Sequence, residues 1–134
     1  MKILLDTHIA LWAISDVSKI KDEIRNMIED RSNEVYYSVA SIWEVAIKHK
    51  IHPENMPISE EDFVTFCNDM GFSLLEIQPA HIFNIKSLVR LEGSPAHHDP
   101  FDRMLIAQAK TDNLKFFTHD TLLSDYDESC IVKV

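Results

Sequence analysis

Four acidic residues of this chain lie at or just beyond predicted strand–helix junctions: Asp6, Glu44, Asp102 and Asp120. Asp6 and Asp120 directly follow short apolar runs, and Asp102 lies close to Asp99 near the start of a mostly apolar helix. Helix capping explains any one of these acids, but it does not explain why four junctions should each hold one. Clustered carboxylates would raise one another's pKa values or require cations. Oxygen ligands with few imidazoles nearby suit Mg²⁺ or Mn²⁺ better than zinc.

Other polar residues near these acids could serve a bound ion or a substrate. Mg²⁺ held by carboxylates can activate a water molecule and neutralise charge on a phosphoryl group, as in phosphodiester hydrolysis. Thr7, Ser41 and Thr118 are close enough in sequence to orient waters or carboxylates around such an ion. Arg103 has two open roles, because it could hold a phosphate or form a salt bridge with an acid.

Glu44 also has two purely local interpretations. It can form a capping box with Ser41 or an i, i+4 ion pair with Lys48, and such a pair is worth only about 0.2–0.5 kcal/mol. Its apolar neighbours favour a third interpretation, a partly buried acid that needs a cation. His49 and His52 have a zinc-like H-x-x-H spacing, but this signal is weak without further ligands, and cationic side chains are ordinary at a helix C-terminus.

The elements that must position these acids follow from the apolar pattern. Short apolar or β-branched runs predict five strands, at residues 2–5, 35–37, 72–77, 114–118 and 130–134. Helical spacing of apolar residues predicts helices at 8–14, 16–31, 38–50, 59–70, 79–91 and from 100 onward. This alternation predicts an α/β fold with a mainly parallel central sheet covered by helices on both faces. Ligands of such folds bind beyond the carboxyl ends of the strands, where the acids are expected.

Three of these helices have further predicted features. Asp99 is the expected N-cap of the helix that begins at residue 100, with Pro100 at its first position. Helix 59–70 has Ser59 as its cap and ends at Gly71. Helix 79–91 is predicted to place Ile82, Ile85, Leu88 and Val89 on its inner face.

Composition limits the function classes. The chain has 134 residues, which favours one domain covering residues 1–134. Its two glycines exclude the loops that cradle nucleotide phosphates, and its net charge of −9 is unfavourable for sequence-blind nucleic-acid binding. No apolar run reaches the ~18 residues of a membrane span. Residues 1–10 show no signal-peptide pattern, and Cys67 and Cys130 fit no paired spacing, so we expect reduced thiols in a cytoplasmic protein.

Several segments resemble the PIN-domain ribonucleases, and most closely the VapC-type toxins of bacterial type II toxin–antitoxin pairs. In the family's order they are L-L-D-T-H at 4–8, S-V-A-S-I-W-E-V-A-I-K at 38–48, H-D-P-F-D-R at 98–103 with L-I-A-Q-A at 105–109, and T-H-D at 118–120. These segments span nearly the whole chain. The second and third are specific, whereas L-D-T alone would be a weak signal.

The resemblance implies a PIN-like three-layer α/β/α fold with a five-stranded central sheet. It implies a catalytic metal site for Mg²⁺ or Mn²⁺ that is formed by Asp6, Glu44, Asp102 and Asp120. Asp99 has two open roles, as a further metal ligand and as a helix cap, and it could fill both. The implied activity is endonucleolytic cleavage of single-stranded or structured RNA, held in check by a cognate antitoxin protein. Homodimers are common in the family.

The chain departs from the family pattern at two places. L-E-G-S-P-A at 91–96 replaces the shorter Leu-Pro approach that we expect before the paired histidines, and no basic residue precedes Asp99. The acidity of the chain leaves few cations for an RNA backbone: Lys48, Lys50, Arg90 and Arg103. An alternative hypothesis is a catalytically silent PIN-fold module that acts through antitoxin and DNA binding. A phosphatase or phospho-receiver is disfavoured, because D-x-D and a late strand-end lysine are both missing.

Overall fold

A computed structural model describes residues 1–134, which form five strands and six α-helices in alternation. The strands are β1 (Lys2–Leu5), β2 (Glu34–Ser38), β3 (Ser73–Leu75), β4 (Lys115–Thr118) and β5 (Ile131–Lys133). The helices are α1 (Thr7–Ser15), α2 (Asp22–Glu29), α3 (Val39–Ile51), α4 (Glu60–Asp69), α5 (Pro79–Asn84) and α6 (Pro100–Asp112). Short 3₁₀ turns occupy Val17–Lys19, Ile85–Ser87 and Thr121–Asp125.

The five strands form one sheet in the order β3-β2-β1-β4-β5, and every neighbouring pair is parallel. β1 is the central strand, and its residues Ile3, Leu4 and Leu5 are fully buried. Strands buried on both faces read as continuous apolar runs, which is why I-L-L was recognisable in the sequence. The predicted five-stranded parallel sheet is confirmed, with β5 at one edge.

Helices cover both faces of this sheet, because side chains of β1 alternate between two cores. Ile3 and Leu5 join the core beneath α1, α2 and α4, which includes Ile9 and Phe63. Leu4 joins the second core, which is built largely from α6. The predicted three-layer arrangement is therefore confirmed. Because all strands are parallel, their carboxyl ends meet at one edge of the sheet, where the loops that follow β1 and β4 lie side by side.

The prediction of one helix over residues 16–31 was wrong. The chain forms a 3₁₀ turn at Val17–Lys19, becomes extended at Ile20 and Lys21, and only then enters α2. The extended stretch places Ile20 in the core at 6% exposure. Burial of this side chain outweighs the hydrogen bonds that a continuous helix would have kept.

The helix predicted over residues 79–91 was also too long. α5 ends at Asn84, and Ile82 and Val89 are 53% and 49% exposed rather than inward-facing. Beyond Leu88 the chain is drawn across to residues 125–127, where the Leu91 amide donates to the Asp125 carbonyl at 2.7 Å and the Asp127 amide to the Val89 carbonyl at 2.7 Å. These tertiary hydrogen bonds replace helical ones that sequence periodicity alone would favour.

The remaining helices match their predicted bounds to within two residues. Ser59 caps α4 by accepting the Asp62 amide, and Gly71 follows that helix with a φ of +83°, a conformation that glycine adopts without strain. Each helix is too short or too polar to span a lipid bilayer.

Candidate metal centre

Asp6 is the first residue after β1 and is fixed by three hydrogen bonds. Its amide continues the ladder to β4 by donating to the Phe117 carbonyl at 2.9 Å. One carboxylate oxygen accepts the Thr7 amide at 2.7 Å, which caps α1, and the other accepts the Thr118 hydroxyl at 2.6 Å. The residue is only 5% exposed. Capping therefore explains one carboxylate oxygen of Asp6 but not its burial against Thr118.

Thr118, the last residue of β4, connects two of the predicted site acids. Its hydroxyl donates to Asp6 and accepts the amide of Asp120 at 3.1 Å. The Asp120 carboxylate accepts the Leu122 amide at 2.9 Å and so caps the 3₁₀ turn that follows. Because Thr118 is fully buried, this single hydroxyl fixes the spacing between the acids that follow β1 and β4.

Glu44 reaches the same edge of the sheet from the second turn of α3. Its Oε1 accepts the Thr7 hydroxyl at 2.6 Å, and its Oε2 accepts the Lys48 ammonium at 2.6 Å. Since the proton of Thr7 is used on Glu44, the 2.8 Å contact between Thr7 and Ser41 must have Ser41 as donor. Glu44 is 6% exposed, so it is a buried acid.

Of the two local interpretations of Glu44, the ion pair with Lys48 forms and the capping box does not. Ser38 rather than Ser41 caps α3, because its hydroxyl accepts the Ala40 amide at 3.0 Å. Ser41 is instead fully buried and oriented toward Thr7. α3 therefore delivers one acid and one hydroxyl to the residues that follow β1.

The amino-terminal turn of α6 delivers two more acids. One oxygen of Asp99 accepts the amides of Phe101 and Asp102 at 2.9 and 3.0 Å, so the predicted N-cap forms. Asp99 is exposed, whereas the Asp102 side chain is only 15% exposed. The Asp102 carboxylate lies 3.3 Å from Nε2 of His97.

Four other acids contribute to the electrostatic environment of Asp102. Burial raises the pKa of Asp102 from 3.8 to about 8, and the negative charges of Asp6, Asp99, Glu44 and Asp120 contribute in the same direction. Burial also raises the pKa of Asp6, with Glu44 adding to the rise, against the lowering effect of hydrogen bonds from Thr118 and Thr7. That acids from four separate segments form one metal site stays a prediction.

The donor set of this region suits a hard divalent cation. It consists of carboxylate oxygens on rigid elements, and like charges at this density require either protons or cations. No three of the Asp, Glu, His and Cys side chains are already close enough together to coordinate one ion. Instead, the Thr118 hydroxyl donates to one oxygen of Asp6, and Thr7 and Lys48 donate to the two oxygens of Glu44. The chemistry and burial of these residues suit a cation, but their carboxylates would have to move closer together to share one ion.

His97 contacts Asp102, a role that the sequence did not predict. Nδ1 of His97 lies 2.7 Å from the Tyr126 hydroxyl, and burial, followed by the charge of Arg90, lowers the pKa of this histidine. Arg103 forms no salt bridge with an acid, since it donates to the carbonyls of His97 and Ile85 at 3.2 and 3.4 Å. The H-H-D motif indicated the location of His97, but nothing in the sequence indicated Tyr126 as its partner.

The predicted H-x-x-H pair does not converge on a metal site. His49 is held by the Met56 carbonyl at 2.8 Å, and His52 lies 3.5 Å from Glu54 in an exposed ion pair. Both contacts are local, as the ordinary interpretation of a helix C-terminus requires.

A cavity of about 280 Å³ opens beside the acids, lined by Asp6, His8, Trp12, His119 and Asp120. A larger hollow of about 400 Å³, between the end of α2 and Gly71, contains none of the clustered acids. We therefore regard the smaller cavity as the one connected with the carboxylate cluster.

Comparison with known proteins yields a family and a fold. A family model described as "PIN domain" matches residues 3–129 of the chain. Among solved structures, the chain is similar to the crystal structure of VapBC2 from Rickettsia felis bound to a DNA fragment from their promoter, with a TM-score of 0.71 and 12% sequence identity over 99% of this chain and 98% of that chain. At this identity the structural likeness concerns the fold alone. A search of curated proteins finds no match.

Proposed function

The chain belongs to the PIN domain family, and from that premise we propose that it is a metal-dependent endoribonuclease of the VapC toxin type. The observation that supports this most is the set of four carboxylates whose charges act on a fifth, Asp102, with Lys48 as the ammonium group paired to one of them. A cluster so short of positive charge is costly to maintain unless a cation is recruited. We further propose that residues 1–134 act as one domain.

In this proposal Asp6, Glu44, Asp102 and Asp120 hold Mg²⁺ or Mn²⁺, and Asp99 caps α6 while contributing negative charge. When bound, such an ion would lower the pKa of a water molecule and neutralise negative charge on a phosphate. Thr118 holds Asp6 and Asp120 in register, and Thr7 with Ser41 orients Glu44. These hydroxyl contacts orient the acids, which must still move closer together to share an ion.

The substrate we propose is RNA, bound mainly at the site rather than through a basic surface. Of the four candidate cations, Arg90 and Arg103 are already engaged with backbone carbonyls, and Lys48 is paired with Glu44. Lys50 is exposed. An acidic chain with so few available cations gains little from the nonspecific counterion release that drives most nucleic-acid binding. Affinity for RNA is therefore expected to depend on the divalent ion.

We also propose a cognate antitoxin as partner. The similar Rickettsia felis structure is a VapBC2 complex bound to promoter DNA, and its fold covers nearly the whole of this chain. A homodimer and a cytoplasmic location complete the proposal. The two free cysteines, Cys67 and Cys130, are compatible with a reducing compartment.

The test is cleavage of single-stranded RNA by the purified chain, with Mg²⁺ or Mn²⁺ and with EDTA. We expect cleavage with either ion and none with EDTA, and Mn²⁺ should also raise the melting temperature because it binds the folded state. A folded protein that neither cleaves RNA nor gains thermal stability with millimolar Mn²⁺ would contradict the nuclease proposal and favour the silent-module alternative.

A further inference from the structure

One wall of the cavity beside the acids consists of aromatic and imidazole side chains that have no role in the proposed metal chemistry. His8 and Trp12 come from α1, and His119 follows β4. The ring centroids of Trp12 and His119 are 5.3 Å apart at an angle of 65°, and those of His8 and Trp12 are 6.4 Å apart at 50°. We call these three residues the aromatic wall. It adjoins Asp6 and Asp120, which line the same cavity.

The aromatic wall is accessible and held in place. His8 and His119 are exposed, while Trp12 is half-buried and packs against the core on one side. Nδ1 of His119 lies 2.8 Å from the Val134 carbonyl oxygen and must donate to it, because a carbonyl can only accept. In neutral His119 this leaves Nε2 as a hydrogen-bond acceptor. The aromatic wall therefore presents ring faces and edges, together with one hydrogen-bond acceptor, Nε2 of neutral His119.

The charges of the cavity indicate what can occupy it. No lysine or arginine lines it, and two of its five lining residues are acids, so a phosphate group would be repelled. A neutral planar group with hydrogen-bonding edges meets no such penalty and can stack on aromatic rings or imidazole. Lys19 is outside the lining of this cavity, and its ammonium lies over the Trp12 ring, 6.0 Å from the centroid. A phosphate is therefore favoured at the bound cation, and a neutral base is favoured against the aromatic rings.

We propose that the aromatic wall is a nucleobase subsite that binds the base of a nucleotide next to the phosphodiester held at the acids. This inference rests on the proposed function for its substrate class, RNA. His8, Trp12 and His119 would then set which bases are accepted beside the cleaved bond. Their contribution is to binding and positioning, since the acids alone would hold the cation.

The chain has two tryptophans, Trp12 and Trp43, so each can be made a single reporter. The Trp43→Phe variant leaves Trp12 as the only fluorophore, and the matched Trp12→Phe variant leaves Trp43. Both retain the proposed metal ligands and are titrated in Mg²⁺ buffer with a short single-stranded RNA, and the fluorescence is read immediately after mixing, before the RNA is consumed. A ribose-phosphate strand of the same length without bases serves as the second probe.

We expect RNA with bases to quench Trp12 and the abasic strand to leave it unchanged. His119→Ala and His8→Ala should each weaken RNA binding by about fivefold or more, the lower range for a lost base–aromatic stack. His52→Ala is the matched control, because His52 is an exposed histidine outside the cavity, and it should leave RNA affinity unchanged.

Equal quenching of Trp12 by both strands would mean that the wall contacts the backbone, which would overturn the inference. RNA binding without any response of Trp12 would also overturn it and would leave the cavity to another occupant, such as a partner's side chain. RNA cleavage over a longer incubation, measured in parallel, separates the base-subsite proposal from the nuclease proposal. Cleavage with a silent Trp12 removes the base subsite alone, whereas base-dependent quenching without cleavage supports the subsite and removes the nuclease.

Discussion

The two ends of α6 each place an aspartate beside a histidine, but the charges around the two pairs differ. At the carboxyl end, Nδ1 of His81 accepts the Gln78 amide at 2.9 Å, which leaves Nε2 to donate to Asp112 at 2.9 Å. His81 is 2% exposed, and both of its ring nitrogens have complementary partners. At the amino end, Asp102 lies 3.3 Å from His97 but faces four further acids, and its pKa rises to about 8.

This contrast distinguishes a polar pair that is satisfied within the chain, His81 with Asp112, from an acidic cluster around Asp102 that needs a ligand. The His81 pair is satisfied within the chain, so it can fasten α5 to α6 at no electrostatic cost. The Asp102 cluster has more negative charge than the chain neutralises, which destabilises the folded protein until a proton or cation arrives. If this is right, changes at the two ends of α6 should have opposite consequences for stability and activity.

The largest expected effect is on RNA cleavage. Asp102→Asn or Asp6→Asn should lower the cleavage rate by at least about 100-fold, because loss of a metal ligand should exceed the ~10- to 100-fold cost of losing a supporting contact. Asp112→Asn, at the other end of α6, should leave cleavage per folded molecule unchanged. Initial rates on single-stranded RNA measure this, and equal losses in the two aspartates of α6 would remove the distinction between its ends.

The next largest effect is on stability at the carboxyl end. His81→Ala should destabilise the protein by about 2 kcal/mol, because it leaves a small cavity and an unpaired Gln78 amide. Chemical denaturation gives the free energy of unfolding. A change below about 0.5 kcal/mol would mean that this pair does not fasten the two helices.

Thr118→Val should weaken Mn²⁺ binding about tenfold while nearly preserving side-chain shape. The substitution removes the hydroxyl that holds Asp6 and orders Asp120. Thr111→Val is a matched control, since the Thr111 hydroxyl accepts from Asn84 near the other end of α6. Isothermal titration calorimetry measures the affinity, and a similar loss in both variants would point to a general loss of stability.

The pH dependence of stability should also differ between the ends of α6. Asp102 has a pKa of about 8 in the folded chain against an ordinary 3.8, so at intermediate pH the folded state holds a proton that the unfolded state has released. Its favourable contribution is present at low pH and is lost as the pH rises toward 8. With EDTA present, Asp102→Asn should therefore melt roughly 4 °C above the unsubstituted protein at pH 8, corresponding to about 1 kcal/mol, and at nearly the same temperature at pH 4.

Asp112→Asn should show no gain in melting temperature at pH 8, because Asp112 already has His81 as a partner. A higher melting temperature for this control, or a lower one for Asp102→Asn at pH 8, would contradict the contrast between the two ends.

The smallest effect expected concerns Lys48, the cation already present in the cluster. Its ammonium lies 2.6 Å from Glu44; burial lowers the pKa of this ammonium, but Glu44, with Asp99 and Asp102, raises it overall. Lys48→Met should tighten Mn²⁺ binding by a few-fold, because a competing charge worth about 1 kcal/mol or less is removed from a partly exposed site. Lys50→Met is the control, and weaker binding in Lys48→Met would mean that Lys48 positions Glu44 instead of competing with the metal.

The sequence predicted most of the framework because the signals involved are local. The apolar run of β1, the capping residues Asp99 and Ser59, and Gly71 each have a direct physical link between residue type and backbone conformation. Sequence periodicity failed at residues 16–31 and 79–91. In both stretches a distant part of the molecule, the core around Ile20 or the backbone at 125–127, offered a better partner than the helix did.

The site divides in the same way. Residue types and order in the chain determined which acids to consider, since acids placed after parallel strands must reach one edge of the sheet. Only the tertiary structure decided that Thr118 joins Asp6 to Asp120, that Thr7 donates to Glu44, and that Tyr126 contacts His97. These contacts join residues up to 112 positions apart. Their geometry depends on how α3 and α6 pack on the sheet, which no local pattern encodes.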